Sequence, residues 1–220
     1  MNKIVSNSKK FSLTNIQKAY YMGRNPNFEL GGVPTYVYYE FETNLKHKDF
    51  ERSLNNLVAY QPMLRASIDS LQEQTIIDVE DYPYSTVPFY DLTGLTPQEQ
   101  QERILEVREE FQQKILSKEY TFMFSLAQLT DSTSYIFCYA DMLVADAFSL
   151  GILLDELKKG CDVNDTVTTL QDDFSKYVEL KESQKSSKRY ATDKEYWLNR
   201  VDEIPPAPNV PTKSVGIECI

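Results

Sequence analysis

Two carboxylates in an apolar stretch are the groups of this chain best placed to do chemistry. Asp141 and Asp146 bound the turn Asp-Met-Leu-Val-Ala-Asp, which joins an alternating strand to an apolar helix. Burying a charge is costly unless a partner neutralises it, and partial burial raises the pKa of a carboxyl group towards values useful for proton transfer. A metal site is poorly supported, because no His, Cys or further carboxylate joins the pair at ligand spacing. The turn therefore indicates either acid–base chemistry or a structural role.

Each aspartate also has a simple structural explanation. Asp146 precedes Ala147, Phe148, Ser149 and then an apolar run, which is typical of a helix N-cap. A capping Asp contributes about 1 kcal/mol through backbone amides and the helix dipole. Asp141 alone is explained as the polar end of a strand that reaches solvent. A functional interpretation requires the pair and a cation that holds one of its members.

Arg65 is the candidate for that cation. In the segment MLRASI, apolar Leu64, Ala66 and Ile68 alternate with other residues, which predicts a strand. The Arg65 guanidinium then lies among apolar neighbours, and it either extends to water or pairs with a carboxylate. Asp146 is the carboxylate that we expect it to pair with.

Hydrophobic periodicity predicts the elements that position the turn. Helical spacing predicts helices over residues 14–22, 46–60, 97–116, 170–183 and 190–201, and one that follows the turn and ends near residue 159. Alternation predicts strands over residues 33–42, 63–68, 75–79, 122–129 and 134–141, of which the second and third, and the fourth and fifth, are expected to pair as hairpins. In the last strand, Tyr139 and Asp141 are expected to share one face. Thr14, with Gln17 three residues later, predicts a capping box. This order predicts an α+β fold in which helices cover a mixed β-sheet.

Composition excludes several classes of function. The chain has 33 acidic and 23 basic residues and a formal charge of -10, and it contains no Lys/Arg stripe, so no nucleic-acid partner is expected. Its single histidine, His47, has polar neighbours and is predicted to lie on the surface of a helix. A mechanism that needs a His from this chain in the turn is therefore excluded.

The remaining composition points to the cytoplasm. Cys138, Cys161 and Cys219 are odd in number and lack metal or redox spacing, which predicts reduced thiols. The N-terminal MNKIVSNSKK has no apolar segment behind its basic residues, so no secretory signal is expected. The most apolar stretch is interrupted by Asp146 and Asp155, so no membrane span is expected either.

Several motifs in one order resemble a known family. They are Asp141, Asp146 and Ser149 in the spacing Asp-x-x-x-x-Asp-x-x-Ser, the opening block FSLTNIQKAYYMGR…FELGGV, PMLRA, the Asp-Leu pair before the long helix, and YW…R…PPAP. Together they resemble the N-terminal lobe of a condensation domain of nonribosomal peptide synthetases, of the heterocyclisation type. The resemblance implies a chloramphenicol-acetyltransferase-like fold and runs from about Phe11 to Pro211. Tyr36 departs from the His often found there, and Tyr60-Gln61 replaces a common Arg-His.

The resemblance implies the domain limits and the partners. We expect a polar tail over residues 1–10, the lobe over 11–204 and a linker or tail over 205–220. Such domains have a second, C-terminal lobe that closes a tunnel over the central turn, and we expect this chain to need one. Peptidyl or acyl carrier protein domains then enter with their phosphopantetheine arms, and no cofactor is bound directly.

The implied reaction joins a carrier-bound acyl group to carrier-bound Cys, Ser or Thr and cyclodehydrates the product to a thiazoline or oxazoline. We expect Asp146 to be structural, ion-paired with Arg65, and Asp141 to face the tunnel and hydrogen-bond the reacting amine or amide. Ser149 caps the helix or touches the pantetheine arm. Tyr20, Arg24 and Tyr36 are expected to line the substrate or pantetheine channel.

Two other functions remain open from the sequence. A lone lobe could be catalytically inactive and act as a docking module for a carrier protein or partner chain. A generic acyltransferase that uses coenzyme A is disfavoured, because that chemistry typically relies on a His in this turn, where Met142 stands.

Overall fold

The structure, a computed structural model, describes residues 10–28, 31–83, 85–117, 120–161 and 174–206. These residues form seven strands and six α-helices. The strands are β1 (Lys10–Ser12), β2 (Tyr36–Thr43), β3 (Ala66–Ile68), β4 (Glu73–Ile76), β5 (Phe89–Asp91), β6 (Phe122–Gln128) and β7 (Ser134–Asp141). The helices are α1 (Asn15–Gly23), α2 (His47–Tyr60), α3 (Pro97–Ser117), α4 (Ala147–Cys161), α5 (Phe174–Gln184) and α6 (Lys188–Leu198). The α+β prediction is confirmed.

The main sheet places the turn at the end of a buried strand. Its strand order is β2-β7-β6-β5, with β5 parallel to β6 and the other pairs antiparallel. The predicted hairpin of β6 and β7 is confirmed, and β7 ends at Asp141 opposite Tyr36 of β2. Because β7 lies between β2 and β6, its last residue has a neighbouring strand on each side.

Helices cover both faces of this sheet. On one face, α2 and α4 pack on Phe124, Ile136 and Cys138. On the other, α3 packs its apolar stripe on Phe137 and Tyr139. The two faces follow the alternation along β7, as predicted, so Asp141 lies on the face of Tyr139.

A second, smaller sheet has the order β1-β4-β3 and is antiparallel throughout. The predicted hairpin of β3 and β4 is confirmed. The predicted strand through Arg65 is wrong, because Pro62–Arg65 forms a 3-10 turn before β3 begins at Ala66. Sequence alternation also did not indicate β1 or β5, which have three residues each.

An ion pair outside the turn ties β2 to α3. Arg108 donates to both oxygens of Glu40 at 2.6 Å, and the hydroxyls of Tyr38 and Tyr135 also donate to this carboxylate. The guanidinium of Arg108, opposed by burial, lowers the pKa of Glu40 to about 2. The ionised form is therefore favoured by folding.

This pKa predicts a loss of stability in acid. A depressed folded pKa contributes stability that is present above the unfolded value of about 4.5 and is lost as the pH falls towards about 2. As the pH falls from 5 to 3, we expect protonation of Glu40 to lower the free energy of unfolding by about 1–2 kcal/mol. Denaturant titrations of Glu40→Gln should show a shallower fall over that range. Glu42→Gln, an exposed change on the same strand, should keep the original slope, and equal slopes for all three proteins would refute the assignment.

The chain divides into two compact units, Met1–Val178 and Glu179–Ile220. The first contains both sheets. In the second, the Ser187 side chain caps α6 by accepting from the Tyr190 amide. Residues 1–9 and 207–220, which hold most of the predicted tail and linker, lie outside the described residues, so the predicted limits at 10 and 204 stay predictions.

Two further sequence expectations concern cysteines and membranes. Cys138 and Cys161 are buried, and burial raises the pKa of Cys138 to about 12. Cys219 lies outside the described residues. In the part of the chain that the structure describes, no helix combines the length and apolarity that crossing a bilayer requires.

Candidate functional site at the aspartate turn

Asp141 is held inside the protein by three donors. Its side chain has no exposed surface, and it accepts from the Leu143 amide at 2.9 Å and from the Tyr139 hydroxyl at 3.2 Å. The guanidinium of Arg24 forms an ion pair and hydrogen bond with it. Burial raises the pKa of Asp141, while these three donors oppose the rise. Asp141 thus fixes the start of the turn from within.

Arg24 reaches Asp141 because α1 ends beside the turn. Thr14 and Gln17 form the predicted capping box at the start of α1, and Arg24 is the C-cap at its other end. The Arg24 side chain is 18% exposed, so the pair is largely shielded from water. The cation that neutralises an acid of the turn therefore comes from α1.

The predicted ion pair between Arg65 and Asp146 is wrong. Arg65 donates to the carbonyls of Val58 at 2.5 Å and Ala59 at 2.9 Å, which belong to the last turn of α2, and to Ile77 at 2.9 Å. The last carbonyls of a helix lack intrahelical donors and carry partial negative charge, so a nearby guanidinium satisfies them. Arg65 is 7% exposed and fastens α2 to the smaller sheet.

Asp146 is an exposed helix cap. Its Oδ1 accepts from the Ser149 amide at 2.7 Å, directly before α4. The Ser149 amide is the largest of the contacts that lower the pKa of Asp146. The carboxylate therefore stays ionised at neutral pH. The positions expected for the two acids are exchanged: Asp141 is the enclosed acid and Asp146 is the accessible one.

A buried pair of glutamines holds the middle of the turn. The side-chain Nε2 of Gln17 donates to the Leu143 carbonyl at 2.7 Å and to Oε1 of Gln74 at 3.1 Å. Gln74, with no exposed surface, donates in turn to the Ser12 carbonyl of β1 at 3.0 Å. Buried polar groups that are fully paired make a rigid connection. The capping-box spacing predicted the first role of Gln17 but carried no signal for this second one.

The turn forms one wall of a cavity of about 630 Å³. That volume lies within the usual range of small-molecule sites, about 300–1,000 Å³. The lining residues come from α1, the 3-10 turn, the aspartate turn, α4 and α5. They are Thr14, Ile16, Gln17, Tyr20, Gln61, Met63, Leu64, Met142, Leu143, Val144, Ala145, Asp146, Ser149, Ile152, Leu153, Glu156, Phe174 and Tyr177.

The structure separates the residues predicted to line a channel. Tyr20 and Ser149 lie on the cavity wall with Asp146. Arg24 is engaged with Asp141 and is not part of the wall. Tyr36 is also absent from the wall and packs its ring 5.6 Å from that of Tyr139. Contact of Tyr20 and Ser149 with a substrate stays a prediction.

The charges on the cavity wall are all negative. Asp146 and Glu156 both line it, and none of its described residues is Lys, Arg or His. Such a wall favours amines and disfavours anions. Glu156 was not identified from the sequence, where it looks like one of the many acids on the polar face of a helix. Over the described ranges, no group of three or more His, Cys, Asp or Glu is arranged to hold a metal ion.

Comparisons with known proteins agree on one family. The profile described as "Condensation domain" matches residues 7–215. The chain is 34% identical over 207 residues to Bacitracin synthase 1 of Bacillus licheniformis, covering 93% of this chain and 4% of that protein. It is 29% identical over 208 residues to Phenyloxazoline synthase MbtB of Mycolicibacterium paratuberculosis, covering 91% of this chain and 17% of that protein.

A solved structure matches the fold. The rhombohedral crystal form of the EpoB NRPS cyclization-docking bidomain from Sorangium cellulosum superposes with a TM-score of 0.81 at 26% identity. The match covers 94% of this chain and 41% of that one. The chain thus spans less than half of the solved relative and a small fraction of the curated ones.

Proposed function

This chain belongs to the condensation-domain family, and from that premise we propose that it is the N-terminal lobe of a heterocyclisation domain in a nonribosomal peptide synthetase. The proposed reaction condenses a carrier-bound acyl group with carrier-bound Cys, Ser or Thr and closes the product to a thiazoline or oxazoline. The observation that carries the proposal is Asp146, an ionised carboxylate that opens onto the cavity from a turn fixed by Asp141. The names of the relatives, with a phenyloxazoline synthase and a cyclization bidomain among them, support the heterocyclisation type.

The first step forms an amide and depends mainly on positioning. The amine of the acceptor attacks the thioester carbonyl of the donor, the C–N bond forms, and the donor's thiol leaves. Tethering and binding remove most of the translational and rotational freedom of the two reactants before they react. Because this entropy is not lost again in the transition state, the reaction is much faster. Asp146 can accept a hydrogen bond from the amine and orient it, a role that suits a carboxylate with a lowered pKa.

The second step closes the ring and removes water. The acceptor's thiol or hydroxyl attacks the new amide carbonyl and gives up its proton. The amide nitrogen then loses its proton as the C=N bond forms, and the former carbonyl oxygen leaves as water with these two protons. Asp146 is the group of the turn placed to move a proton here, because Asp141 is enclosed by its three donors. This assignment replaces the one from sequence, in which Asp141 faced the substrate.

The partners follow from the same proposal. Carrier protein domains deliver both substrates on phosphopantetheine arms, and a C-terminal lobe closes the cavity. Ile16 on the cavity wall and Phe148, which lies in sequence between the wall residues Asp146 and Ser149, support the need for a covering partner, because the two residues are 66% and 80% exposed. The same exposure also favours the second candidate function, an inactive lobe that only docks a carrier protein.

One experiment separates the two functions. The chain is incubated with loaded donor and acceptor carrier proteins, alone and with a candidate C-terminal lobe, and the products are followed by mass. We expect an amide and its product after loss of one water only when both lobes are present. Amide without water loss would reduce the proposal to simple condensation. No amide, with carrier binding retained, would establish the docking module instead.

A further inference from the structure

Glu156 gives the cavity a second negative end. Asp146 precedes α4 and Glu156 lies ten residues further along the chain, so at a rise of about 1.5 Å per residue the two are about 15 Å apart along the helix axis. Both line the same cavity, with Ile152 and Leu153 between them. A ligand that lies along α4 therefore meets a carboxylate at each end and apolar surface in the middle.

The Glu156 carboxylate is oriented but not neutralised. Its Oε2 accepts from the Gln61 side-chain amide at 2.8 Å, and within the described part of the chain its Oε1 has no donor. Lys159 follows one turn later, yet the two form no ion pair among the described contacts. A half-buried carboxylate with one oxygen held and the other open is a site for a cationic donor.

Aromatic rings on the same wall suit the same kind of ligand. Phe174 and Tyr177 line the cavity, and their rings stack with centroids 5.6 Å apart. The face of an aromatic ring attracts an ammonium or guanidinium group. Carboxylate and aromatic faces on one apolar wall thus favour a cation over a neutral or anionic group.

We propose that Glu156 selects acyl substrates that carry a positively charged group at the end remote from the reacting carbonyl. This inference rests on the proposed function and names its substrate class: with the reacting carbonyl near Asp146, the remote cation lies at Glu156. The cation is the N-terminal ammonium of a short peptidyl chain, which spans about 3.3–3.6 Å per residue, or a basic side chain. Asp146 then serves the reaction and Glu156 the choice of donor.

Two matched pairs of probes test the proposal by binding alone. The first pair is a tetrapeptidyl amide of aminopantetheine, which spans about 13–14 Å, with a free or an acetylated N-terminus. The second is an acetylated tripeptidyl amide with Lys or norleucine at the remote position. Calorimetry or NMR titration measures their affinities for the chain. We expect the charged member of at least one pair to bind about tenfold more tightly, the lower end for a hydrogen bond to a charged group.

Two variants assign the preference to one residue. Glu156→Gln keeps the shape of the side chain and should abolish the preference. Asp155→Asn removes the same charge from the next position of α4, is exposed and lies off the cavity wall, and should retain it. An N-terminal preference indicates a peptidyl donor, and a lysine preference a basic side chain. No preference in the original chain, including no measurable binding of either member, or an equal loss in both variants, would overturn the proposal. A failure of the proposed reaction would be distinguished from a failure of this inference, because the reaction is tested by the mass of its products and the inference by binding.

Discussion

Arg24→Met should destabilise the fold by about 3–5 kcal/mol, the cost typical of removing one partner from a buried ion pair. The remaining Asp141 carboxylate has no exposed surface and keeps only the Leu143 amide and the Tyr139 hydroxyl as donors among the contacts described above. Denaturant unfolding at pH 7 measures the change. The matched control is Arg52→Met, because Arg52 pairs with Asp49 at 2.9 Å on the surface, with side chains 51% and 40% exposed. That change should cost less than about 1 kcal/mol.

The pH dependence of the same variant checks the cause. Burial already raises the pKa of Asp141, and loss of the guanidinium raises it further. A carboxyl group with a raised folded pKa loses its contribution to stability as the pH rises through that value. The deficit of Arg24→Met should therefore be larger at pH 7 than at pH 4.5, and adding Asp141→Asn should recover part of it. Equal losses for Arg24→Met and Arg52→Met would contradict an enclosed pair.

Periodicity predicted most of the fold because it reports local geometry. The long helices and the β6–β7 hairpin follow from apolar spacing, and the alternation along β7 placed Asp141 on the face of Tyr139. The three-residue strands β1 and β5 are too short for alternation to distinguish them from an extended loop. Their pairing is decided by tertiary contacts.

The sequence identified the acids of the site but not their partners. Arg24 and Asp141 are separated by 117 positions, and periodicity says which face a residue occupies, not which distant helix end lies beside it. Arg65 looked like the cation for Asp146 because its segment alternates as a strand does. Carbonyls at the end of α2 without intrahelical donors lie only six and seven positions before it and bind it instead. Arg65 therefore binds nearby backbone carbonyls and not the distant carboxylate of Asp146.

The exchange of the two acids changes the chemistry expected of the turn. A buried carboxyl with a raised pKa, on its own, looks like a proton donor, yet Asp141 is enclosed by donors and lies off the cavity wall. The accessible Asp146 has a lowered pKa, which suits the proposed role of a hydrogen-bond acceptor and weak base. In the proposed ring closure, proton transfer would then depend on substrates held close to Asp146. The position of Asp146 therefore depends on the contacts of Gln17 and Arg24 that hold the turn.

Asp146→Ser should separate catalysis from folding. Serine is also a good N-cap, so α4 keeps its cap and the free energy of unfolding should change by less than about 1 kcal/mol. The carboxylate is lost, and formation of the dehydrated product in the two-lobe assay should fall about 100-fold or more, the usual contribution of a positioned acid or base. Asp146→Ala removes cap and carboxylate together and should show the same loss of product with about 1 kcal/mol more destabilisation. Full activity in the serine variant would assign Asp146 to capping alone, and a large loss of stability in it would restore the structural role that the sequence had suggested.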